Sequence, residues 1–204
     1  MDRKQHWEHV YASKAADSVS WFQPRAGMSL QLIHDTGLGK DAAIIDVGGG
    51  ASNLVDALLA EGYSDLTVLD LSAAAIEVAR QRLGAPAKAV QWVVADITRA
   101  EFSKDRFDLW HDRATFHFLT EPAERQAYIE RLMHALRSGG HLILATFAED
   151  GPEKCSGLPV MRYSPKALGM ELGDAFELIR HKKEAHLTPS GAVQQFSYCC
   201  FRRT

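Results

Sequence analysis

The chain has 204 residues, 46% of them apolar and 24% charged, which is the composition of an ordinary globular protein. The net charge of −3 gives no electrostatic sign of a nucleic-acid partner, and no stretch approaches the roughly 20 apolar residues that span a bilayer. The first residues, "MDRKQHWEHV", also lack the apolar run of a signal peptide. We therefore expect one cytoplasmic domain over residues 1–204, without nucleic-acid or membrane partners.

The N-terminal segment, residues 1–36, carries more aromatic side chains than a disordered leader usually does. Trp7 and Tyr11 stand four residues apart, so on a helix they share one face, and Trp21 follows them. The segment is therefore predicted to be helical and ordered. Packing on the core and covering a ligand are both compatible with this pattern.

Five short apolar runs come next, and their apolarity is nearly continuous, which is typical of strands buried on both faces. They are residues 42–47, 66–71, 89–97, 107–112 and 141–147. Amphipathic helical patterns lie between several of them, at residues 53–62, 72–84 and 120–140. Strands that alternate with helices form right-handed βαβ units and a parallel sheet covered on both sides.

Capping residues mark the ends of these helices. Ser72 is suited to cap the second helix, which stops at Gly84. Thr120 is suited to cap the third helix, and Pro122 fits its first turn.

Two strand-like runs, residues 175–187 and 192–203, end the chain with no helix between them, which favours an antiparallel hairpin. Cys199 and Cys200 in the last run should point to opposite faces. Together with Cys155 they form neither a C-x-x-C pair nor a zinc-like spacing, so we expect reduced thiols and no metal. The predicted fold class is α/β, a doubly wound, mostly parallel sheet with a C-terminal antiparallel hairpin.

The run "AAIIDVGGGASNL", residues 42–54, passes from a strand into Gly48, Gly49 and Gly50 and then into a helix. Glycine permits positive φ and lets a ligand approach without meeting a Cβ, and the first βα turn of such a sheet faces the ligand. A nicotinamide or flavin turn would read G-x-G-x-x-G, but the sixth position from Gly48 is Asn53. The missing glycine disfavours a dinucleotide and favours S-adenosylmethionine (SAM).

Acidic residues at the ends of three successive strands support the same ligand. Asp46 lies two residues before the glycines, Asp70 ends the second strand and Asp96 ends the third. An acidic side chain at the second strand end can accept both ribose hydroxyls. The three carboxylates suit a ligand with a ribose, an adenine amine and a positive charge but no pyrophosphate, which describes SAM.

Four stretches in this order resemble the class I SAM-dependent methyltransferases, over roughly residues 40–204. They are "IIDVGGGAS", "TVLDLS", "VVADI" and "LRSGGHLIL". The resemblance implies a Rossmann-like core with the terminal hairpin as its antiparallel addition. It also implies that residues 1–36 form a lid or anchor, since similar methyltransferases fold an N-terminal W-x-x-x-Y element over SAM.

The resemblance further implies a role for each SAM-facing residue. The glycine turn lies against the methionine part, and Asp46 orients the turn or the amino group. Asp70 binds the ribose hydroxyls, while Asp96 and the amide of Ile97 contact adenine. The predicted cofactor-binding residues are Trp7, Tyr11, Asp46, Gly48, Gly49, Gly50, Asp70, Leu71, Asp96, Ile97 and His111.

The stretch "WHDRATFHFL" follows the fourth strand and is dense in polar residues, which indicates an acceptor pocket. Histidine can take a proton near neutral pH, so His111 and His117 are the predicted catalytic residues, with His117 preferred. The predicted acceptor-binding residues are Trp21, Asp112, Arg113 and Cys155.

The sequence thus predicts transfer of a methyl group from SAM to a small-molecule acceptor, with S-adenosylhomocysteine (SAH) as product. A protein-lysine methyltransferase is the first alternative, because residues 112–117 resemble D-K-G-T-[LF]-D, although arginine, alanine and histidine replace three of its residues. Cys155 leaves a metalloid acceptor open, as in arsenic methyltransferases. An NAD-type dehydrogenase and a non-catalytic SAM-binding protein are the alternatives from other classes.

Overall fold

The computed structural model describes residues 2–204, in which nine strands and six α-helices form. The strands are β1 (Ala43–Val47), β2 (Asp65–Asp70), β3 (Val90–Val94), β4 (Phe107–Arg113), β5 (Leu136–Phe147), β6 (Lys154–Cys155), β7 (Leu158–Pro159), β8 (Phe176–Leu187) and β9 (Val193–Arg203). The α-helices are α1 (Arg3–Ser13), α2 (Gly27–Asp35), α3 (Leu54–Ala60), α4 (Ala73–Leu83), α5 (Pro122–Ala135) and α6 (Pro165–Leu172). Short 3₁₀ helices cover Ala85–Ala89 and Phe116–Phe118.

Seven strands form one sheet in the order β3-β2-β1-β4-β5-β9-β8, and β6 pairs with β7 separately. Strands β1 to β5 are parallel, whereas β9 runs antiparallel to both of its neighbours. The chain moves outwards from β1 to β3 and then returns to the other side of β1, so the strand order reverses between β1 and β4. Ligands of such sheets bind beyond the strand carboxyl ends at this point. The predicted doubly wound sheet with its C-terminal hairpin is confirmed.

Apolar side chains cover both faces of the sheet. Tyr128 of α5 and Leu168 of α6 pack on one face, together with Ile45 of β1. Leu30 of α2 packs on the opposite face, where it joins Ile44 of the same strand. Strand β1 is therefore buried on both sides, which holds the turn that follows it in place.

The predicted helix ends agree with the structure at α4 but differ from it at both ends of α5. The Ser72 hydroxyl accepts a hydrogen bond from the Ala75 amide and caps α4, as predicted. The predicted Thr120 cap is wrong, because the residue at the cap of α5 is Glu121, whose side chain makes no capping bond, while Pro122 occupies the first turn. Helix α5 also ends at Ala135, well before residue 140, since the chain passes directly into β5.

The predicted strand at residues 89–97 is shorter and more exposed than expected. Strand β3 ends at Val94 and forms an edge of the sheet, so only Val90 of its five residues is buried, two are partly buried and two are exposed. Asp96 and Ile97 consequently lie in the loop beyond the carboxyl end of β3. No helix among residues 2–204 combines the length and the apolar character needed to cross a bilayer.

Candidate active site

The glycine turn after β1 is packed against polar oxygens of the protein itself. A Cβ added at Gly48, where φ is +72°, would lie 1.8 Å from Thr115 Oγ1. A Cβ added at Gly49 would lie 2.2 Å from Asp46 Oδ2. The sequence predicts that these glycines leave space for a ligand. At Gly48 and Gly49, however, side-chain oxygens of the protein itself occupy the space that a Cβ would need.

Asp70 at the end of β2 binds the backbone of both adjoining turns. Its Oδ2 accepts a hydrogen bond from the Gly50 amide at 3.0 Å, and its Oδ1 accepts one from the Ser72 amide at 2.8 Å. A Cβ at Gly50 would lie 2.7 Å from the same Oδ2. Burial raises the pKa of Asp70 to about 6, although the two amide hydrogen bonds favour its ionised form.

Asp46, His111 and Ser29 form a buried hydrogen-bonded chain. Asp46 and His111 are paired residues of the neighbouring strands β1 and β4, and Asp46 Oδ1 lies 2.7 Å from His111 Nδ1. His111 Nε2 lies 2.8 Å from Ser29 Oγ on α2. The other carboxylate oxygen of Asp46, Oδ2, is buried without a hydrogen-bond partner. A buried carboxylate oxygen without a partner is costly, so this atom marks a place for a donor or a cation.

Two adjoining cavities, both open to solvent, lie at the carboxyl ends of the central strands, and their empty space with the adjoining solvent is about 730 and 570 Å³. Of the predicted site residues, the first cavity is lined by Trp7, Tyr11, Trp21, Gly48, Asp70, Leu71, Asp96, Ile97, Arg113 and Cys155. The second is lined by Tyr11, Trp21, Asp46, Gly48, Gly49, His111 and Arg113. The structure therefore brings most of the predicted residues together around these two neighbouring cavities.

His117 is not part of either cavity, and the expectation that it faces an acceptor is wrong. Its ring is fully buried between the rings of Phe118 and Phe147, with centroid distances of 4.6 and 4.8 Å. Burial, assisted by the nearby charge of Arg113, lowers the pKa of His117 to about 3. This histidine is therefore neutral near pH 7 and serves packing.

Asp112 is likewise directed away from the cavities, which corrects its predicted acceptor role. Successive side chains of a strand point to opposite faces, so Asp112 faces α5 while its neighbours His111 and Arg113 face the cavities. Its carboxylate accepts hydrogen bonds from the Tyr128 hydroxyl at 2.7 Å and from the Thr115 amide at 2.9 Å. Burial raises the pKa of Asp112 to about 6. Gly50 also lines neither cavity. Its role is structural, because its amide donates a hydrogen bond to Asp70.

Cys155 lies in the wall of the first cavity and is buried. Burial raises the pKa of its thiol to about 12, despite the opposing charge of Arg113. The side chain is therefore a thiol at neutral pH. Cys199 and Cys200 pack on opposite faces of the sheet, as the strand pattern predicts.

Helix α1 covers the first cavity with aromatic side chains. The predicted helix is present, and the rings of Trp7 and Tyr11 lie 6.4 Å apart on one side of it. Trp7 contacts Trp21 and Phe118 at centroid distances of 5.4 and 5.1 Å, and Trp21 Nε1 donates to the Tyr11 hydroxyl at 3.1 Å. The segment both packs on the core and closes the space above it.

Glu8 attaches α1 to the N-terminus of α4. Its carboxylate accepts hydrogen bonds from the amides of Ala73 and Ala74, at 2.7 and 3.1 Å, and from the Ser72 hydroxyl at 3.1 Å. Burial opposes ionisation of Glu8, but these hydrogen bonds outweigh it and hold its pKa below the ordinary value. Arg3 forms a second anchor to Glu124 of α5 at 2.9 Å.

Residues 44–140 match the sequence model of a family described as a methyltransferase domain. This segment runs from β1 into β5 and contains the glycine turn, Asp70 and Asp96, which are the features around the first cavity. By this match, residues 44–140 form a methyltransferase domain.

Curated relatives that match part of this chain have different names. A malonyl-[acyl-carrier protein] O-methyltransferase of Anoxybacillus flavithermus is 36% identical over 109 residues, which is 52% of this chain and 39% of the relative. The nodulation protein S of Rhizobium tropici is 32% identical over 108 residues, which is 53% of this chain and 44% of the relative. The chain thus matches less than half the length of each of these relatives.

A solved structure supports the fold over the whole chain. The N-methyltransferase NodS of Bradyrhizobium japonicum, in complex with SAH, aligns with a TM-score of 0.72. The alignment covers 99% of both chains at 16% sequence identity. At this identity the match establishes the fold of the chain.

Several residues in and around the two cavities were not predicted from the sequence. Ser29 contacts His111 only because α2 packs beside β4. The role of Glu8 was not predicted. The first four amides of a helix have no partner within the helix, so the start of α4 indicates that an acceptor lies there. Phe118 and Leu119 of the first cavity belong to the quoted polar stretch but were not singled out.

Proposed function

We propose that this chain binds SAM across the two cavities and transfers its methyl group to a small-molecule acceptor. The observation that carries the proposal is the buried, unpartnered Asp46 Oδ2 beside the glycine turn. The positively charged group of a ligand could bind to this atom. Asp70 and Asp96 line the adjoining cavity, where they could accept hydrogen bonds from a ribose and an adenine. The whole-chain activity is inferred from these residues and from the methyltransferase domain.

Within this proposal, Asp46 binds the amino group of SAM and Asp70 its ribose hydroxyls. Asp96 and the Ile97 amide bind adenine, while Trp7 and Tyr11 cover the ligand from α1. His111 acts as a positioning residue. With its proton on Nδ1 it donates to Asp46 and accepts from the Ser29 hydroxyl, which leaves the carboxylate charged and its second oxygen free for the ligand.

SAM supplies a methyl group already activated on a sulfonium, so the chain has to align two reactants and exclude water. Four residues line both cavities and therefore lie at the boundary between them, namely Tyr11, Trp21, Gly48 and Arg113. The aromatic side chains from the N-terminal segment give this boundary an apolar part beside the charge of Arg113. An acceptor that reaches it beneath α1 has to be small.

The relatives support methyl transfer as a class, since their names include an O-methyltransferase and an N-methyltransferase. All three cysteines are unpaired and buried, which agrees with the reducing conditions of the cytoplasm, the location we propose.

Release of SAH from SAM tests the nature of the acceptor. The purified chain is incubated with SAM and either a panel of thiols, amines and carboxylic acids or a dialysed protein extract. We expect SAH release with members of the small-molecule panel. Turnover with the protein extract alone would favour protein-lysine methylation, and SAM binding without turnover in either arm would favour a non-catalytic SAM-binding protein.

The Glu8→Gln variant is expected to release SAM about two- to fivefold faster than the wild type. A carboxylate at a helix N-terminus contributes roughly 0.3–1 kcal/mol, and its loss weakens the attachment of α1 over the ligand. Stopped-flow dissociation of SAM measures the change. Glu77→Gln is the matched control, because Glu77 lies exposed on α4 and its carboxylate contacts only side chains of the same helix, Arg80 at 4.0 Å and Gln81 at 3.0 Å. Equal dissociation rates for both variants would contradict a closing role of Glu8.

A further inference from the structure

Arg113 is a rigidly held cation at the junction of the two cavities. Its Nε donates to the Tyr198 hydroxyl at 2.8 Å, and its Nη1 donates to the Trp21 carbonyl at 3.0 Å. The guanidinium also lies over the Phe196 ring, with its carbon 4.3 Å from the centroid. Its Nη2 is buried and has no hydrogen-bond partner. Two of the three guanidinium nitrogens thus donate to the protein, while Nη2 has no partner.

The charge of Arg113 has no direct counter-ion among residues 2–204. Its Nε and Nη1 partners are a hydroxyl and a carbonyl, and the carboxylate of Glu184 is reached only through Tyr198, whose hydroxyl donates to it at 3.0 Å. A partly buried guanidinium with unused donors is suited to bind a carboxylate, and its planar fork does so with defined geometry. An anionic ligand group at the cavity junction would satisfy it.

The first cavity offers no side chain that would deprotonate an acceptor near neutral pH. Asp70 and Asp96 are assigned to the donor. Burial raises the pKa of Tyr11 well above its usual value and that of Cys155 to about 12. The histidine of the second cavity, His111, has both ring nitrogens engaged by Asp46 and Ser29. An acceptor at this site therefore has to arrive already deprotonated.

From this arrangement we infer that the acceptor is a small carboxylate, bound by Arg113 and methylated on oxygen. The inference rests on the proposed function. A carboxylate oxygen forms the new C–O bond as the methyl–sulfur bond breaks, and the sulfur retains the electron pair of that bond. The negative charge of the acceptor and the positive charge of the sulfonium disappear together, so no proton is released. Trp21, Phe118 and Leu119 give the neighbouring wall an apolar surface, which suits an acid with a hydrocarbon body.

Binding of matched acids and amides tests this inference. The SAH complex of the full chain is titrated by calorimetry with hexanoate and 3-phenylpropionate and with their primary amides. We expect the acids to bind at least about tenfold more tightly, because a hydrogen bond to a charged partner is worth more than one between neutral groups. Equal affinities, or no binding of either acid, would overturn the inference.

Variants assign the effect to Arg113. In Arg113→Gln the preference for acids should disappear, in Arg113→Lys part of it should remain, and in the surface control Arg80→Gln it should be unchanged. SAH affinity should stay within about threefold in all three. An acid preference that survives in Arg113→Gln would overturn the inference. So would a large loss of SAH affinity in that variant, because Arg113 would then bind the methionine carboxylate.

Two further readouts separate the inference from the proposed function. If the wild type binds neither SAM nor SAH, the proposed function fails, whereas failure of the acid preference in a chain that binds SAH removes only the carboxylate acceptor. With SAM and the preferred acid, the product should be a methyl ester, identified by mass spectrometry. Turnover in weak buffer should release no proton, and proton release during turnover would indicate a protonated acceptor and contradict the inference.

Discussion

The Gly48→Ala variant should be less stable than the wild type by about 2–5 kcal/mol and should lose SAM binding. A left-handed conformation costs an L-residue roughly 1–2 kcal/mol, and forcing an extra methyl into a packed site typically costs about 1–3 kcal/mol more. Both costs apply here, because φ is +72° and the new Cβ would lie 1.8 Å from Thr115 Oγ1. Chemical denaturation measures the loss, which is a large share of an ordinary folding free energy.

Gly37 provides a matched control for this prediction. Its φ is also +72°, but an added Cβ there would meet nothing within 4 Å. Gly37→Ala should therefore show only the backbone cost and keep its SAM affinity. Adding Thr115→Ala to Gly48→Ala should restore part of the stability, because the clashing oxygen is removed. Equal destabilisation at Gly37 and Gly48 would show that Thr115 does not restrict the turn.

The second large effect is expected at Asp70, where Asp70→Asn should weaken SAM binding about tenfold or more. Hydrogen bonds to a charged group contribute roughly 1.5–3 kcal/mol each, and the neutral amide cannot accept from both ribose hydroxyls and the amides of Gly50 and Ser72. Calorimetric titration with SAM measures the change. An unchanged affinity in a folded variant would contradict the ribose assignment.

Asp70 should also make the stability of the protein and its affinity for SAM depend on pH. Because its folded pKa of about 6 lies above the ordinary value of 3.8, Asp70 stabilises the free protein at low pH, and this contribution is lost as the pH rises through about 6. SAM affinity should change in the opposite sense and increase over the same range, since the ribose hydroxyls require the ionised carboxylate.

Asp112 offers the control for this pH dependence. Its pKa is also about 6 because it is buried, but it lines neither cavity. The dependence of SAM affinity on pH should therefore vanish in Asp70→Asn and persist in Asp112→Asn. Calorimetric titrations at pH 5 and pH 8 for both variants distinguish the two carboxyls. Persistence in Asp70→Asn would mean that another group controls binding.

The fold could be predicted from the sequence wherever local signals and burial agree. Strands β1 and β2 are continuous apolar runs that lie inside the sheet, and Ser72 caps α4 because its hydroxyl can reach the Ala75 amide. The apolar run at residues 89–97 gave a poorer prediction of the length and burial of β3, because an apolar run does not show that a strand lies at the edge of a sheet. Thr120 failed as a cap because α5 begins at Pro122, which places Glu121 at the cap position instead.

The donor side of the site was predicted because strand ends and their turn are adjacent in sequence. The acceptor side depends on contacts between distant segments, which local patterns do not reveal. Alternation along β4 directs His111 and Arg113 to the cavities and Asp112 away from them. The partner of Arg113 on the last strand, Tyr198, is 85 residues away, and only the order of β5 and β9 brings it near.

The central claim, that the two cavities bind SAM, is tested most directly by calorimetric titration of the full chain with SAM, SAH and NAD. Asp46, Asp70 and Asp96 provide acceptors for an amino group, a ribose and an adenine, and the glycine turn lacks the third glycine of a dinucleotide site. We expect one site that binds SAM and SAH in competition, with no response to NAD. Binding of NAD with no heat from SAM or SAH would contradict it.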